Sequence, residues 1–224
     1  MAQRRASGPV PDLATLAQQF VAAQLAGDRR AALTLVVDSV KDGVSVADMQ
    51  QHVIRAAQEE IGRLWQTNTI SIAQEHLATG ISQIVLARLF DYAPDVPSNG
   101  KLVFVACVQG EQHDLPARLV ADCLDLGGFT VRYFGPDVPT HDLVAAVRTR
   151  HPDLIALSVT MSFNVGALRD AVTQIRGVAP SIPIAVGGNA VRWSDGVVAE
   201  LGVATAPSDT ESLLALARQL AGVA

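Results

Sequence analysis

The sequence predicts an α/β protein in which a four-helix bundle precedes a five-stranded parallel sheet. Three observations carry that expectation. Up to about residue 92 the apolar residues recur at helical spacing, with polar capping residues between the runs. At residues 93–100 the stretch "APDVPSNG" gathers Pro, Ser, Asn and Gly, the composition of a connection. Beyond it, short runs that are almost wholly apolar alternate with amphipathic segments, the pattern of strands buried on both faces of a parallel sheet.

The helical elements follow in order. "PDLATLAQQFVAAQLAGD" has helical apolar spacing and stops at Gly27. Asp28 caps a second helix reaching about Val40. "DGVS" interrupts the chain, and Ser45 with Asp48 resembles a capping box for a longer helix ending near Trp65. "QTNTI" is a short turn. Ser71 with Gln74 forms a second capping box, opening a helix that runs to about Tyr92. Short connections between four helices suggest an up-and-down bundle. The expected organisation is a flexible tail (1–11), a bundle cap (12–92), a linker (93–100) and a sheet domain (101–224).

In the sheet domain the strand runs are "LVFVACV", "FTVRYFG", "LIALSVT", "PIAVGG" and "VATAP". Helical stretches begin near Leu115, Thr140, Asn164, Ala190 and Ser208. Five β–α units in about 125 residues fit a flavodoxin-like, Rossmann-type sheet of order 2-1-3-4-5. Its ligand position lies at the carboxyl ends of strands 1 and 3, where the winding reverses. Three polar or glycine-bearing segments converge there: "GEQHDLP" after strand 1, "SVTMSFN" at strand 3, and Gly187-Gly188 after strand 4.

Composition narrows the function classes. The 224 residues are 49% apolar, and the net charge of −5 comes without a basic block. Direct DNA binding is therefore not expected, since it needs a Lys/Arg stripe. Cys107 and Cys123 stand outside any CxxC or Cys/His cluster and read as small buried hydrophobes. "MAQRRASGPVP" carries charge but no apolar signal segment, and no run approaches a membrane span. A cytoplasmic protein without membrane contact is expected. Neither GxGxxG, nor a Walker A loop, nor a nucleophile elbow occurs.

His113 is the residue that asks for an explanation. One imidazole cannot hold a zinc ion, which needs three or four donors. It can be the single axial ligand of a metal whose other positions a macrocycle fills. Glu111, two residues earlier, can accept the other ring N–H, fixing the tautomer and raising ligand basicity. Asp114 stands beside them, and Pro116 fits the first turn of the following helix. From this spacing alone a solvated loop histidine beside two carboxylates remains open. Ser158 and Thr160 can hydrogen-bond a ligand or cap the next helix, and Gly187-Gly188 suits either a close backbone approach or a tight turn.

Taken together, "GEQHDLPARLVADCLDLGGFTVRYFGPDVP", then "SVT", then "GG" resemble the cobalamin-binding domain of methionine synthases, corrinoid carriers and cobalamin photoreceptors. That family's pattern is D/E-x-H-x-x-G, S-x-L/T and GG. The resemblance implies cobalamin (vitamin B12) bound base-off, with His113 as lower cobalt ligand. The displaced nucleotide tail would enter the sheet edge near Ser158, Thr160, Gly187 and Gly188. Glu111 in place of Asp keeps the acceptor, whereas Pro116 departs from the family's Gly.

The helical half resembles the cap of CarH-type adenosylcobalamin photoreceptors, through the spacing W-x9-E-H at Trp65, Glu75 and His76. An indole is broad enough to cover an adenosyl group, and a glutamate can hydrogen-bond a ribose. Gln66 follows Trp65, where the family places its light-state upper His ligand; His76, His52 or a second chromophore can substitute. Some stand-alone members of this group also bind a bilin. The expectation is a light sensor, not an enzyme: adenosylcobalamin in the dark, a change of cap or oligomer on photolysis, a homo-oligomer, and a signal to a regulator or signalling enzyme on a separate chain. The alternative is a corrinoid methyl carrier for a cobalamin-dependent methyltransferase system, which does not need W-x9-E-H.

Overall fold

The computed structural model describes residues 12–193 and 196–223; the expected tail, residues 1–11, lies outside them. The chain divides into two compact units, one up to Pro94 and one from Asp95. Among the described residues no helix is long and apolar enough to cross a membrane.

The first unit packs four helical segments around Leu16, Phe20, Val36, Met49, Ile54, Ile61, Val85 and Leu86, all buried. α1 (Leu13–Leu25) starts at Asp12, whose carboxylate accepts from the Thr15 N–H. α2 (Arg29–Lys41) is capped in the same way by Asp28 on Ala31. The third segment opens with Ser45 accepting from the Asp48 N–H. It does not continue as one α-helix. Between α3 (Val46–Asp48) and α4 (Arg55–Gln66), residues Met49–Ile54 wind as a π-helix. The apolar spacing of these residues suits either winding, so the sequence pattern does not separate them. α5 (Ile72–Leu89) begins with the complete Ser71/Gln74 capping box and ends in a 3-10 turn at Phe90–Tyr92.

The second unit is a five-stranded all-parallel sheet of order β2-β1-β3-β4-β5. The strands are β1 (Leu102–Cys107), β2 (Thr130–Tyr133), β3 (Leu154–Ser158), β4 (Ile184–Gly187) and β5 (Ala204–Thr205). Residues 102–107 alternate between two cores. Val103, Val105 and Cys107 face α6 (Leu115–Leu126) and α11 (Thr210–Ala221). Phe104 and Ala106 face α7 (Thr140–Arg150) and α8 (Val165–Val178). The fourth crossover is not the single helix expected near Ala190. It is split into α9 (Asn189–Trp193) and α10 (Val197–Leu201), with Gly196 left-handed at φ +93° before α10.

Part of the Pro/Gly-rich connection is built into the sheet unit. The Asn99 N–H donates to the Gly128 carbonyl at 2.8 Å. A Cβ on Gly128 would lie 2.7 Å from the Pro97 carbonyl oxygen, so the turn before β2 requires glycine there.

Candidate functional site

At the carboxyl edge of the sheet, Cys107, Ser158 and Gly187 lie side by side across β1, β3 and β4. The chain leaves β1 through Val108, whose N–H donates to the Ser158 carbonyl at 3.1 Å. It then turns at Gly110, left-handed at φ +84°. Asp137, in the β2–α7 loop, clamps this turn. Its carboxylate accepts from the Gly110 N–H at 2.7 Å, and its own N–H donates to the Glu111 carbonyl at 2.9 Å.

The clamped turn drives Glu111 inward, where it is 0% exposed. A buried carboxylate needs partners for both oxygens. Oε1 accepts from the His113 N–H at 3.0 Å and meets His113 Nδ1 at 2.6 Å. Oε2 accepts from the N–H groups of Thr160 and Met161 at 2.8 and 2.9 Å, and from Asn164 Nδ2 at 3.0 Å. Burial would raise this carboxyl's pKa. The His113 ring, the Met161 and His113 amides and Asn164 outweigh burial and hold it at about 2. Glu111 therefore ties the loop after β1 to the loop after β3, the two strands at which the winding reverses.

An ionised Glu111 can only accept, so His113 Nδ1 carries the proton, and in the neutral ring the lone pair is then on Nε2. That is the tautomer a metal-binding imidazole requires. The His113 side chain is 39% exposed. The next residue is also held: Tyr133, at the end of β2, donates to Asp114 Oδ2 at 3.0 Å. Burial, then the Asp114 charge, raises the pKa of the Tyr133 phenol, keeping it a donor. Pro116 sits in the first turn of α6, where a missing N–H costs nothing. Burial and the charges of Asp114 and Glu111 push the Cys107 thiol up to about 12, so it is inert at neutral pH.

Among the described residues two buried hydroxyls here lack a nitrogen or oxygen partner: Thr160 Oγ1, and Ser158 Oγ, which is within reach of the Cys107 thiol alone. A hydroxyl buried in this way costs free energy unless a ligand or water satisfies it. Thr160 contributes its backbone N–H to Glu111 and keeps its hydroxyl for something else. Gly188 is left-handed at φ +105°, and a Cβ on it would lie 2.1 Å from the Val159 carbonyl oxygen. The approach that demands glycine at 188 is thus to β3's own backbone. At Gly187 the nearest atom to an added Cβ would be the Ala206 Cβ at 3.3 Å.

The other three sequence-predicted residues lie in the helical unit. Trp65, half-buried, is in the last turn of α4; Glu75 and His76 are in the first turn and a half of α5, against which α4 packs. The Glu75 side chain is 14% exposed and is fixed from two sides: Thr79 Oγ1 donates to Oε1 at 2.7 Å, and Oε2 meets His76 Nδ1 at 2.6 Å. Gln66 and His52 are exposed.

Among the described residues no three His, Cys, Asp or Glu side chains gather to hold a metal ion. A metal at His113 must bring its other ligands with it, as a corrin ring does. The lone-pair tautomer of His113 and the two buried hydroxyls beside it fit such a group. Sequence reasoning missed Asn164, Tyr133 and Asp137 as supports of the site. Asn164 read as the end of a polar loop and a helix start, Tyr133 as strand, and Asp137 as part of the stretch that resembles the family, none of them as a partner of Gly110, Glu111 or Asp114.

Residues 101–216 match the B12 binding domain, and residues 16–89 match a second family model also described as a B12 binding domain. The chain belongs to the B12-binding family. The HTH-type transcriptional repressor CarH of Myxococcus xanthus is 33% identical over 146 residues, 64% of this chain and 48% of the repressor. The chain thus spans about half the length of that relative. Dimethylamine corrinoid protein 1 of Methanosarcina acetivorans is 22% identical over 178 residues, 77% of this chain and 84% of that protein. Among solved structures, the monomethylamine corrinoid protein of Methanosarcina barkeri superposes with a TM-score of 0.77 at 18% identity, covering 92% of this chain and 98% of that one. That likeness extends the shared fold to nearly the whole chain.

Proposed function

We propose that this B12-binding protein is a light sensor that holds adenosylcobalamin base-off, with His113 Nε2 as the lower cobalt ligand. When bound, adenosylcobalamin supplies a cobalt–carbon bond that visible light breaks. Glu111 holds the His113 ring in the ligating tautomer, and Tyr133 holds Asp114 beside it. Ser158 and Thr160 offer their hydroxyls to the displaced nucleotide tail, beside Gly187 and Gly188. Trp65, Glu75 and His76 contact the adenosyl group. The observation that carries the cofactor reading is the fully buried Glu111, with five hydrogen-bond contacts, paired with His113 at 2.6 Å. The W-x9-E-H residues, with Glu75 fixed by Thr79 and His76, favour a sensor over a carrier.

In this reading the chain does no catalysis. It forms a homo-oligomer and signals to a regulator or signalling enzyme on a separate chain. The test is reconstitution with adenosylcobalamin in the dark, recording absorbance and hydrodynamic size before and after green light. Both are expected to change, and an unchanged spectrum refutes the sensor. A second reading, a corrinoid methyl carrier, is favoured by the likeness of nearly the whole chain to the monomethylamine corrinoid protein. Methylation of the reduced cobalamin-loaded protein by a corrinoid methyltransferase, with no effect of light on size, would establish it instead. A bilin as second chromophore would show as a separate visible band in protein produced in bilin-making cells.

A further inference from the structure

Behind Glu75 lies a chain of hydrogen-bonded side chains, buried at Gln24 and Ser82 and half-buried at Gln58 and Thr79, that the W-x9-E-H residues do not include. Gln24 of α1, 0% exposed, donates through Nε2 to the Ala78 carbonyl and to Ser82 Oγ, both at 2.9 Å. Ser82 Oγ donates to Gln58 Oε1 of α4 at 3.1 Å. Gln58 Nε2 donates to Thr79 Oγ1. Thr79 Oγ1 donates to Glu75 Oε1 at 2.7 Å.

The direction of every bond is fixed by chemistry at both ends. The Ala78 carbonyl only accepts, so the Gln24 amide nitrogen must face it. Ser82 then receives from Gln24 and must donate to Gln58 Oε1. This turns the Gln58 nitrogen towards Thr79, whose hydroxyl proton is left for Glu75. A carboxylate only accepts, so it completes the sequence. Reversing any one link sets two acceptors or two donors face to face. Bonds aligned in this way also polarise one another towards the carboxylate.

We infer that Thr79 and Gln58 are positioning residues that hold the Glu75 carboxylate in a single orientation for its ligand, with Ser82 and Gln24 anchoring them to α1. The inference rests on the proposed contact between Glu75 and the adenosyl group. It adds that selectivity for that group is set in the bundle interior, by residues that touch no cofactor. Gln58→Glu is the most telling change. It keeps the shape of the side chain but sets an acceptor against Thr79, and so draws the hydroxyl proton away from Glu75.

The experiment compares dark dissociation constants for adenosylcobalamin and methylcobalamin, which share the corrin and differ in the upper group. Wild type, Glu75→Gln, Thr79→Val, Thr79→Ser and Gln58→Glu are measured in the full chain. Thr79→Val and Gln58→Glu are expected to lose roughly tenfold in preference for adenosylcobalamin, the scale of one hydrogen bond to a charged group. Methylcobalamin affinity should hold, which also shows the variants folded, and Thr79→Ser should restore the wild-type preference. If Glu75→Gln loses the preference while Thr79→Val and Gln58→Glu keep it, the positioning role is wrong and the Glu75 contact stands. If Glu75→Gln itself keeps the preference, the proposed contact falls and the inference with it. Equal loss of both cobalamins in Thr79→Val also overturns it, because the residue is then only structural.

Discussion

Glu111→Gln removes one charge from the most heavily hydrogen-bonded side chain in the sheet unit and changes its shape little. Oε2 faces three donors, from Thr160, Met161 and Asn164, so the new amide nitrogen must turn towards His113. There it opposes the His113 N–H, and it favours a ring whose Nδ1 accepts and whose Nε2 carries the proton. The variant therefore both loses stability and sets His113 in the wrong tautomer for a metal. The first effect has a size. Glu111 is held at about 2 against an ordinary 4.5, which corresponds to about 3 kcal/mol of folding free energy at neutral pH. A depressed folded pKa means that this contribution is present above pH 4.5 and is lost as pH falls towards 2. Glutamine, a neutral stand-in, lacks it at every pH. Urea unfolding of the cofactor-free protein, followed by circular dichroism, should place the variant about 3 kcal/mol below wild type at pH 7, with about 2 kcal/mol of that gap closed by pH 3. A gap under about 1 kcal/mol at pH 7, or one that does not narrow in acid, would refute the account of this carboxylate.

Three further outcomes follow from the same site. Thr160→Val replaces a buried unsatisfied hydroxyl and spares the N–H bonded to Glu111. Cofactor-free stability should rise by about 1 kcal/mol in thermal unfolding while cobalamin affinity falls roughly tenfold by equilibrium titration. Gly188→Ala puts a methyl 2.1 Å from the Val159 carbonyl oxygen at φ +105° and should cost about 3 kcal/mol in urea unfolding, with or without cofactor. Tyr133→Phe deletes the bond to Asp114 and should cost about 2 kcal/mol, with the loss read in the same melts.

The sequence made the elements and much of the site legible because each rests on local chemistry. Asp28, Ser45 and Ser71 announce their helices by bonds that reach only three residues along the chain. The central strands β1, β3 and β4 show as apolar runs because both faces of the sheet are covered there. What stayed hidden depends on distance or on winding. Asn164 reaches Glu111 across 53 residues, and Tyr133 reaches Asp114 across 19. Neither spacing leaves a mark on composition. The π-helical turn at Met49–Ile54 keeps an α-helical pattern of apolar residues, and so does the split between α9 and α10. Thr160 shows a subtler limit. Its hydroxyl was the atom the sequence pointed to, yet the bond to Glu111 comes from its backbone.

The central claim is that His113 Nε2 is the lower ligand of the cobalt. Electron paramagnetic resonance of the protein reconstituted with cob(II)alamin tests it most directly, because the axial nitrogen splits each cobalt line. With nitrogen-15 histidine in the protein and unlabelled cobalamin, the three-line splitting should become two-line, and His113→Ala should abolish the labelled pattern. A three-line splitting that survives histidine labelling would mean that the cofactor's own benzimidazole holds the cobalt, and would contradict the account.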